Sequence, residues 1–281
     1  MVRFVSTALV MMLVQTVFVQ TVFAQTVFAQ VPVTGRAQTM SFSRASVQTV
    51  AAQAYQQELK RLRAKGELDT DPQVLHRVRQ ICARLIAQAI TLKPAAANWP
   101  WEVHVTTDAH ISAYSRAGGK LLVSSHFIDF YHLSDHELTV AMAHEVAHVI
   151  AEHVREQIST AAAFNPPPPN MARTVADVID SMESDITVYL RLQSLSRLQE
   201  MEADDIGIEL AARAGIAPDS IVSFYTKLTR AGAGQSLFDT HGSPQQRELF
   251  VKSMANYALP LYEASLRSHS RSSYSFVRAS N

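Results

Sequence analysis

The stretch that decides the fold is "VAMAHEVAHVIAEH", residues 140–153, where histidines and glutamates interrupt an apolar run. On a helix, His144 and His148 are four residues apart and lie on one face, one turn above the other. Polar side chains in an apolar setting need partners, and a metal ion can supply them. Glu145 lies about 100° round the helix, so its carboxylate can sit beside such an ion without being a ligand. The alternative is a core helix that carries surface histidines.

A catalytic zinc site takes a third protein ligand and leaves one position for water. The spacing of a glycine and a third histidine that defines one class of zinc peptidases is absent, because Ala151 and Val154 stand at those positions. A glutamate about twenty residues further on is also excluded, since prolines occupy 166–169. The next candidate is Glu200, in the segment "SRLQEMEADDIG" at 196–207.

On a helix through this segment, Glu200, Ala203 and Asp204 share one face and Glu202 points away from it. Glu200 can therefore reach the ion, while Asp204, one turn on, can orient a ligand histidine. The small side chain of Ala203 allows this helix to pack close to the first one. The alternative is a solvated acidic face.

The rest of the chain predicts an α+β fold that is mainly helical with a small sheet. Pro72 opens a helix that we expect to run to Leu92, and alternation in "WEVHVTT" predicts a strand. The segment "ISAYSRAGGKLLVSS" predicts two strands around Gly118 and Gly119. "SDHE" at 134–137 is a capping box that begins the histidine helix, which we expect to end near Ser159. Helical periodicity resumes near Thr174 and continues past residue 200.

The composition excludes some classes of function. Lysine and arginine total 25, as do aspartate and glutamate. Because nucleic-acid-binding proteins usually carry a basic excess, we expect no nucleic-acid partner. The single cysteine, Cys82, cannot form an internal disulfide, and its apolar neighbours indicate a core position.

The first thirty residues have the pattern of a secretory signal. A basic start at Arg3 is followed by a long uncharged apolar run and a repeated Val-Phe-Ala-Gln segment. We expect cleavage after Ala24 or Ala29 and a periplasmic location. The alternative is an uncleaved membrane anchor, because the run is long enough to span a bilayer.

Taken together, the motifs resemble those of the minigluzincin metallopeptidases, a family that includes HtpX, the CAAX prenyl-protein peptidase and the BepA-like enzymes. The shared pattern is H-E-x-x-H at 144–148 and E-x-E-A-D at 200–204, with a glycine-rich hairpin before and a histidine-to-arginine segment after. Here the hairpin is "SAYSRAGGK" at 112–120, and the later segment is "THGSPQQR" at 240–247. The export signal makes the chain most similar to the soluble periplasmic BepA-like branch.

The resemblance implies one Zn²⁺ per chain, held by His144, His148 and Glu200, with Glu145 as the base. His241 is expected to donate to the oxyanion of the reaction; the alternatives are a switch that binds zinc and blocks water, or a loop histidine. Arg247 is expected to form an ion pair near the site, and Asp204 to orient a ligand. The hairpin is expected to bind substrate as an added strand, through Ser112, Ala113, Gly118 and Gly119. Ser112 stands where the family usually has asparagine, and the proline after His241 is displaced by two positions.

These features predict a zinc endopeptidase that hydrolyses misfolded or unassembled exported proteins, with an association with the outer membrane or its assembly machinery. Two alternatives remain open: a zinc-bound, chaperone-like assembly factor with a blocked site, and a helical scaffold without metal. The predicted organisation is a signal peptide at 1–29, a flexible lead-in at 30–44, the metallopeptidase domain at 45–267 and a disordered tail at 268–281. The proline run at 165–170 is interpreted as a mobile lid.

Overall fold

The computed structural model describes residues 27–164, 166, 173–230 and 244–269. The described residues form a mainly helical α+β fold with two small sheets, which confirms the predicted fold class. The helices are α1 (Arg44–Ala64), α2 (Pro72–Leu92), α3 (Ser125–Phe130), α4 (Asp135–Ile150), α5 (His153–Phe164), α6 (Val175–Ser184), α7 (Ile186–Arg213), α8 (Pro218–Arg230) and α9 (Pro244–His269). The strands are β1 (Val27–Gln30), β2 (Ala37–Met40), β3 (Glu102–Thr106), β4 (Ala113–Arg116) and β5 (Lys120–Ser124).

The larger sheet has the strand order β3-β5-β4. β5 is its central strand and is buried along its whole length, pairing in parallel with β3 and antiparallel with β4. The tight turn between β4 and β5 contains Gly118 and Gly119, both with positive φ. At Gly119 a side chain is excluded, because a Cβ there would lie 2.4 Å from the Trp101 ring. Among the described strands, β4 lies at an edge of this sheet, and it lies beside α4.

Helix α4 lies at the centre of the main core. It packs against α2, α7, α8 and β4, and nearly all of its side chains are buried. Its first turn has the predicted capping box: the Ser134 hydroxyl accepts from the Glu137 amide, and the Glu137 carboxylate accepts from the Ser134 amide. Lys227 of α8 also donates to Glu137 at 2.7 Å. The start of the helix that carries His144 and His148 is therefore fixed both locally and by a neighbouring helix.

The helix that was expected to run to Ser159 breaks at Ala151 and Glu152. Glu152 has a φ of 56°, which is uncommon outside glycine, and α5 begins at the next residue. The side chain of Glu152 is buried and receives ion pairs from Arg44, at 2.7 Å, and Lys93, at 3.3 Å. These contacts come from distant parts of the chain, so the prediction from local periodicity was wrong here.

The segment 30–44, predicted as a flexible lead-in, contains β2 and packs on the body of the protein. β1 and β2 form a hairpin, and Val31 and Met40 are almost fully buried. The Gln38 amide donates to the Ala151 carbonyl at 2.9 Å. Hydrogen bonds to α5 and its preceding turn, rather than a local signal, place this segment there.

A second helix boundary also differs from the prediction. The helical region that was expected to continue from Thr174 is divided at Asp185, which caps α7 by accepting from the Thr187 amide. Among the described residues, no helix is both long enough and apolar enough to cross a membrane. The predicted lid at 165–170 lies outside the described residues except for Pro166, as do most of the signal, His241 and the tail beyond His269.

Candidate metal centre

The two histidines of the α4 motif point to one spot, as their spacing predicts. The Nε2 atoms of His144 and His148 lie 3.1 Å apart, and their rings are nearly perpendicular. His144 is only 5% exposed. Two ring nitrogens that face each other at this distance repel unless a cation or proton lies between them, so the pair favours metal binding.

Glu200 reaches the same spot from α7. Its Oε2 atom lies 3.2 Å from His144 Nε2, and its Oε1 atom lies 3.3 Å from His148 Nε2. One ligand atom from each of the three residues lies within 4.8 Å of the other two. Helices α4 and α7 pack directly together along this region, which brings residues more than fifty positions apart into one site.

The donor set fits zinc. Ligand atoms at about 2.0–2.2 Å from a tetrahedral zinc ion lie about 3.3–3.6 Å from one another. The separations of 3.1–3.3 Å among the three ligand groups are close to that range. Two imidazoles and one carboxylate also match the ligands of catalytic zinc sites, where a fourth position remains for water.

Asp204 lies behind His144, as its position one turn after Glu200 on α7 predicts. Its Oδ1 accepts from His144 Nδ1 at 2.9 Å and from the Tyr225 hydroxyl at 2.7 Å. Arg247 of α9 donates to both of its oxygens. Burial raises the pKa of Asp204, but the charge and hydrogen bonds of Arg247 outweigh burial and hold that pKa well below its usual range. An ionised Asp204 keeps the proton of His144 on Nδ1, which leaves Nε2 free to bind a metal.

Glu145 follows His144 directly on α4 and is 5% exposed. Within the described part of the chain, no ion pair or hydrogen bond holds its carboxylate. A carboxylate that is buried next to a metal ligand and not otherwise engaged is suited to accept a proton.

Of the residues that were expected to bind substrate, Ser112 directly precedes β4, and the others lie on β4 or on the turn that follows it. Ala113 begins β4, and the Ser112 carbonyl accepts from the Ser124 amide at 2.7 Å. Beside this strand is a pocket of about 330 Å³, counting its open mouth, which extends to the ligand His148. Its apolar lining comes mainly from Val47, Trp99, Ala117, Val149 and Val154. His241, the expected oxyanion donor, is not among the described residues, so its role stays a prediction.

A second buried polar group, which was not predicted from the sequence, lies on the other side of the centre. His153 is 1% exposed, and its Nδ1 lies 2.9 Å from Nδ1 of His148. Its Nε2 lies 3.4 Å from Glu202, which Arg36 of the β1–β2 hairpin holds at 2.7 Å. Burial lowers the pKa of His153 to about 4. Helical periodicity could not reveal this contact, because it depends on the break between α4 and α5.

Two imidazoles and a carboxylate that converge beside a buried glutamate, next to an edge strand, define a metallopeptidase centre. The family comparison agrees with this class. The model of peptidase family M48 matches residues 72–255, well over half of the chain, and the chain belongs to that family.

Several curated relatives are similar to this chain. It is 26% identical over 220 residues to Metalloprotease LoiP of Escherichia coli (strain K12), covering 76% of this chain and 82% of that protein. It is 34% identical over 151 residues to Mitochondrial metalloendopeptidase OMA1 of Arabidopsis thaliana, covering 52% of this chain and 30% of that protein. It is 24% identical over 225 residues to the Beta-barrel assembly-enhancing protease of Escherichia coli (strain K12), covering 72% of this chain and 43% of that protein. The chain therefore spans less than half the length of two of these three relatives.

Proposed function

We propose that this chain is a zinc-dependent endopeptidase that hydrolyses peptide bonds in misfolded or unassembled exported proteins. The observation that carries the proposal is the convergence of His144, His148 and Glu200 within 3.1–3.3 Å beside the buried Glu145. This set of groups supplies what the hydrolysis of a peptide bond needs: a metal site and a base.

The three ligands would hold one zinc ion, which supplies a Lewis acid for the peptide carbonyl and makes water more acidic. Asp204 orients His144 by accepting its Nδ1 proton. Arg247 and Tyr225 hold Asp204 in turn, so the ring has one orientation. The chain thus presents its ligand nitrogen without needing a rearrangement.

Glu145 is the base in this proposal. It accepts a proton from water as the water oxygen bonds to the carbonyl carbon of the substrate. It then returns that proton to the amide nitrogen as the carbon–nitrogen bond breaks, giving one new carboxyl end and one new amino end. In this proposal His241 donates a hydrogen bond to the carbonyl oxygen as negative charge develops there.

Substrate selection follows from the edge strand. An extended segment can add to the free edge of β4, next to α4, through backbone hydrogen bonds. A folded protein rarely offers such a segment, so this mode favours unfolded or loop regions. The pocket beside His148 is lined mainly by apolar side chains, which favours an apolar side chain of the substrate at that position.

The exported location rests on the signal-like pattern of residues 1–29. One relative is named as a protease that enhances β-barrel assembly, which supports a role near the outer membrane or its assembly machinery. A periplasmic role in quality control is consistent with the preference for unfolded substrates.

The test is hydrolysis of one model protein in its folded and its chemically unfolded form by the purified chain with zinc. We expect cleavage of the unfolded form, and loss of at least about a hundredfold in rate in Glu145→Gln with zinc content unchanged. Glu263→Gln, an exposed glutamate on α9, is the matched control and should cleave at the normal rate.

If neither the wild type nor Glu145→Gln cleaves while both bind one zinc ion, the endopeptidase proposal is wrong. The hypothesis of a zinc-bound assembly factor with a blocked site is then favoured. If the wild type binds no zinc, the helical scaffold without metal is favoured.

A further inference from the structure

The ring of His153 lies directly behind the ligand His148. The two Nδ1 atoms are 2.9 Å apart, and the ring planes cross at 81°. The Nε2 atom of His148 faces His144 and Glu200, so a metal would bind there. A neutral imidazole carries one proton, which must then be on Nδ1 of His148. This N–H donates to Nδ1 of His153.

The far side of His153 points to a carboxylate. Since its Nδ1 accepts, its own proton lies on Nε2, which is buried and 3.4 Å from Glu202. No closer hydrogen-bond partner for this nitrogen is found within the described residues. The contact is long for a hydrogen bond, so it is weaker than the 2.9 Å contact with His148.

Glu202 is fixed by the N-terminal hairpin. Arg36 donates to both of its oxygens at 2.7 Å, and the Thr34 hydroxyl donates to it at 3.1 Å. Arg36 also pairs with Glu156 of α5. One guanidinium thus holds two buried carboxylates, and its hydrogen bonds tie β1–β2 to α5 and α7.

The break between α4 and α5 is what brings His153 to this position. On a continuous helix, a residue five places after His148 would be rotated by about 140° away from it. The left-handed Glu152, held by Arg44, turns the chain so that the two rings lie 4.9 Å apart. A strained residue held by charged partners indicates that this geometry is maintained at a cost.

We propose that His153 is a positioning residue that orients His148 for metal binding, and that Arg36 supports it through Glu202. The inference rests on the proposed zinc site and extends it to a hairpin that precedes the segment matched by the family model. An ordinary core histidine would affect only stability, whereas a positioning residue affects metal affinity.

The experiment compares two variants of the full chain. His153→Met fills the space but offers His148 only a weak thioether acceptor, while His153→Gln retains a strong carbonyl acceptor. Zinc affinity is measured by competition with a coloured chelator, and the absorption spectrum of the cobalt-loaded protein reports ligand geometry. We expect a loss in affinity of about 10–100-fold and an altered spectrum in His153→Met. We expect values within a few-fold of the wild type in His153→Gln.

A matched control and a second apolar variant keep the test decisive. His104 is another partly buried histidine bonded to a carboxylate, Asp69, and His104→Met should leave zinc affinity unchanged. If His153→Met does not fold, His153→Leu replaces it. Arg36→Met should weaken zinc binding less than His153→Met, because Arg36 acts through two further residues.

Three outcomes would overturn the inference: wild-type zinc affinity in the apolar variant, an equal loss in His153→Gln, or an unchanged cobalt spectrum. Activity gives a second readout, because His153→Met should regain most of its rate when zinc is in excess. If the wild type itself binds no zinc, the proposed function is wrong. If the wild type binds zinc and His153→Met binds it with the same affinity, only the role of His153 is wrong.

Discussion

At Gly207, α7 lies directly against the backbone of the metal helix. A Cβ built at this position would lie 3.2 Å from the Cα and the N of His144. Ala203, one turn earlier on α7, is also fully buried. Close packing at Ala203 was predicted from the sequence, and the structure adds Gly207, which lies against the backbone of His144 itself.

Replacing Gly207 should therefore disturb the metal site. Gly207→Val should lower the free energy of unfolding by about 1–3 kcal/mol, because α7 must move away from α4. It should also weaken zinc binding, since Glu200 moves with α7. Gly207→Ala should lower the free energy of unfolding by less, because alanine stabilises a helix by about 1 kcal/mol relative to glycine.

Urea denaturation and zinc titration measure these two effects. Ser194→Val, at an exposed position of α7, is the control for placing a β-branched residue in this helix. Equal losses in Ser194→Val and Gly207→Val would show that close packing at Gly207 is unimportant.

At the scale of elements, the junction of α4 and α5 is held by charge. Arg44 of α1 donates to Glu152 twice, Lys93 approaches from the end of α2, and Arg155 of α5 donates at 3.0 Å. Burial raises the pKa of Glu152, but the hydrogen bonds and charge of Arg44 outweigh it and lower the pKa to about 2. A single carboxylate thus connects three helices.

This pKa predicts how stability depends on pH. Because the folded pKa of Glu152 lies below its ordinary value of 4.5, its contribution is complete above about pH 4.5. The contribution of ionised Glu152 to the free energy of unfolding is on the order of 3 kcal/mol. It is lost as the pH falls toward 2. Glu152→Gln should be destabilised near pH 6, and its stability should fall less steeply than that of the wild type below pH 4.5.

Urea denaturation of both proteins at pH 6 and at pH 3.5 checks this expectation. Glu263→Gln, at an exposed position, should keep the pH dependence of the wild type. Parallel curves for the wild type and Glu152→Gln would contradict the prediction.

At the scale of the whole molecule, the metal site joins the two central helices. His144 and His148 belong to α4 and Glu200 to α7, while Arg247 of α9 closes the network through Asp204. An ion that binds only the folded chain stabilises it by mass action. Metal content and global stability should therefore be coupled.

Removal of the metal with a chelator should lower the Tm. At a zinc concentration of about 100 times Kd the stabilisation is about 2.7 kcal/mol. For a chain of this size that corresponds to a shift of about 5–10 °C. Differential scanning calorimetry with and without chelator measures the shift.

Two variants separate metal binding from other effects of the chelator. Glu145→Gln should keep the shift, because it removes no ligand, whereas His144→Ala should show none. A shift that persists in His144→Ala would mean that the chelator acts elsewhere.

Much of the α4 site could be predicted because its determinants are local. The four-residue spacing of His144 and His148 fixes a shared helix face, and the Ser134 capping box fixes where that helix begins. The same reasoning on α7 identified Glu200 and Asp204 as neighbours on one face. The glycine pair of the β4–β5 turn also has a local cause, since both residues take positive φ.

What the sequence by itself determined is thus the pair of helices that carry His144, His148 and Glu200, the edge hairpin and the kinds of side chain that meet at the candidate metal centre. The tertiary structure alone decided the break at Glu152, the order of the N-terminal hairpin and the contact between His153 and His148. The physical reason is the sequence separation of the contacts. Arg44 and Glu152 are 108 positions apart, and Arg36 and Glu202 are 166 positions apart. No local periodicity encodes contacts of that kind, because they form only when the helices pack.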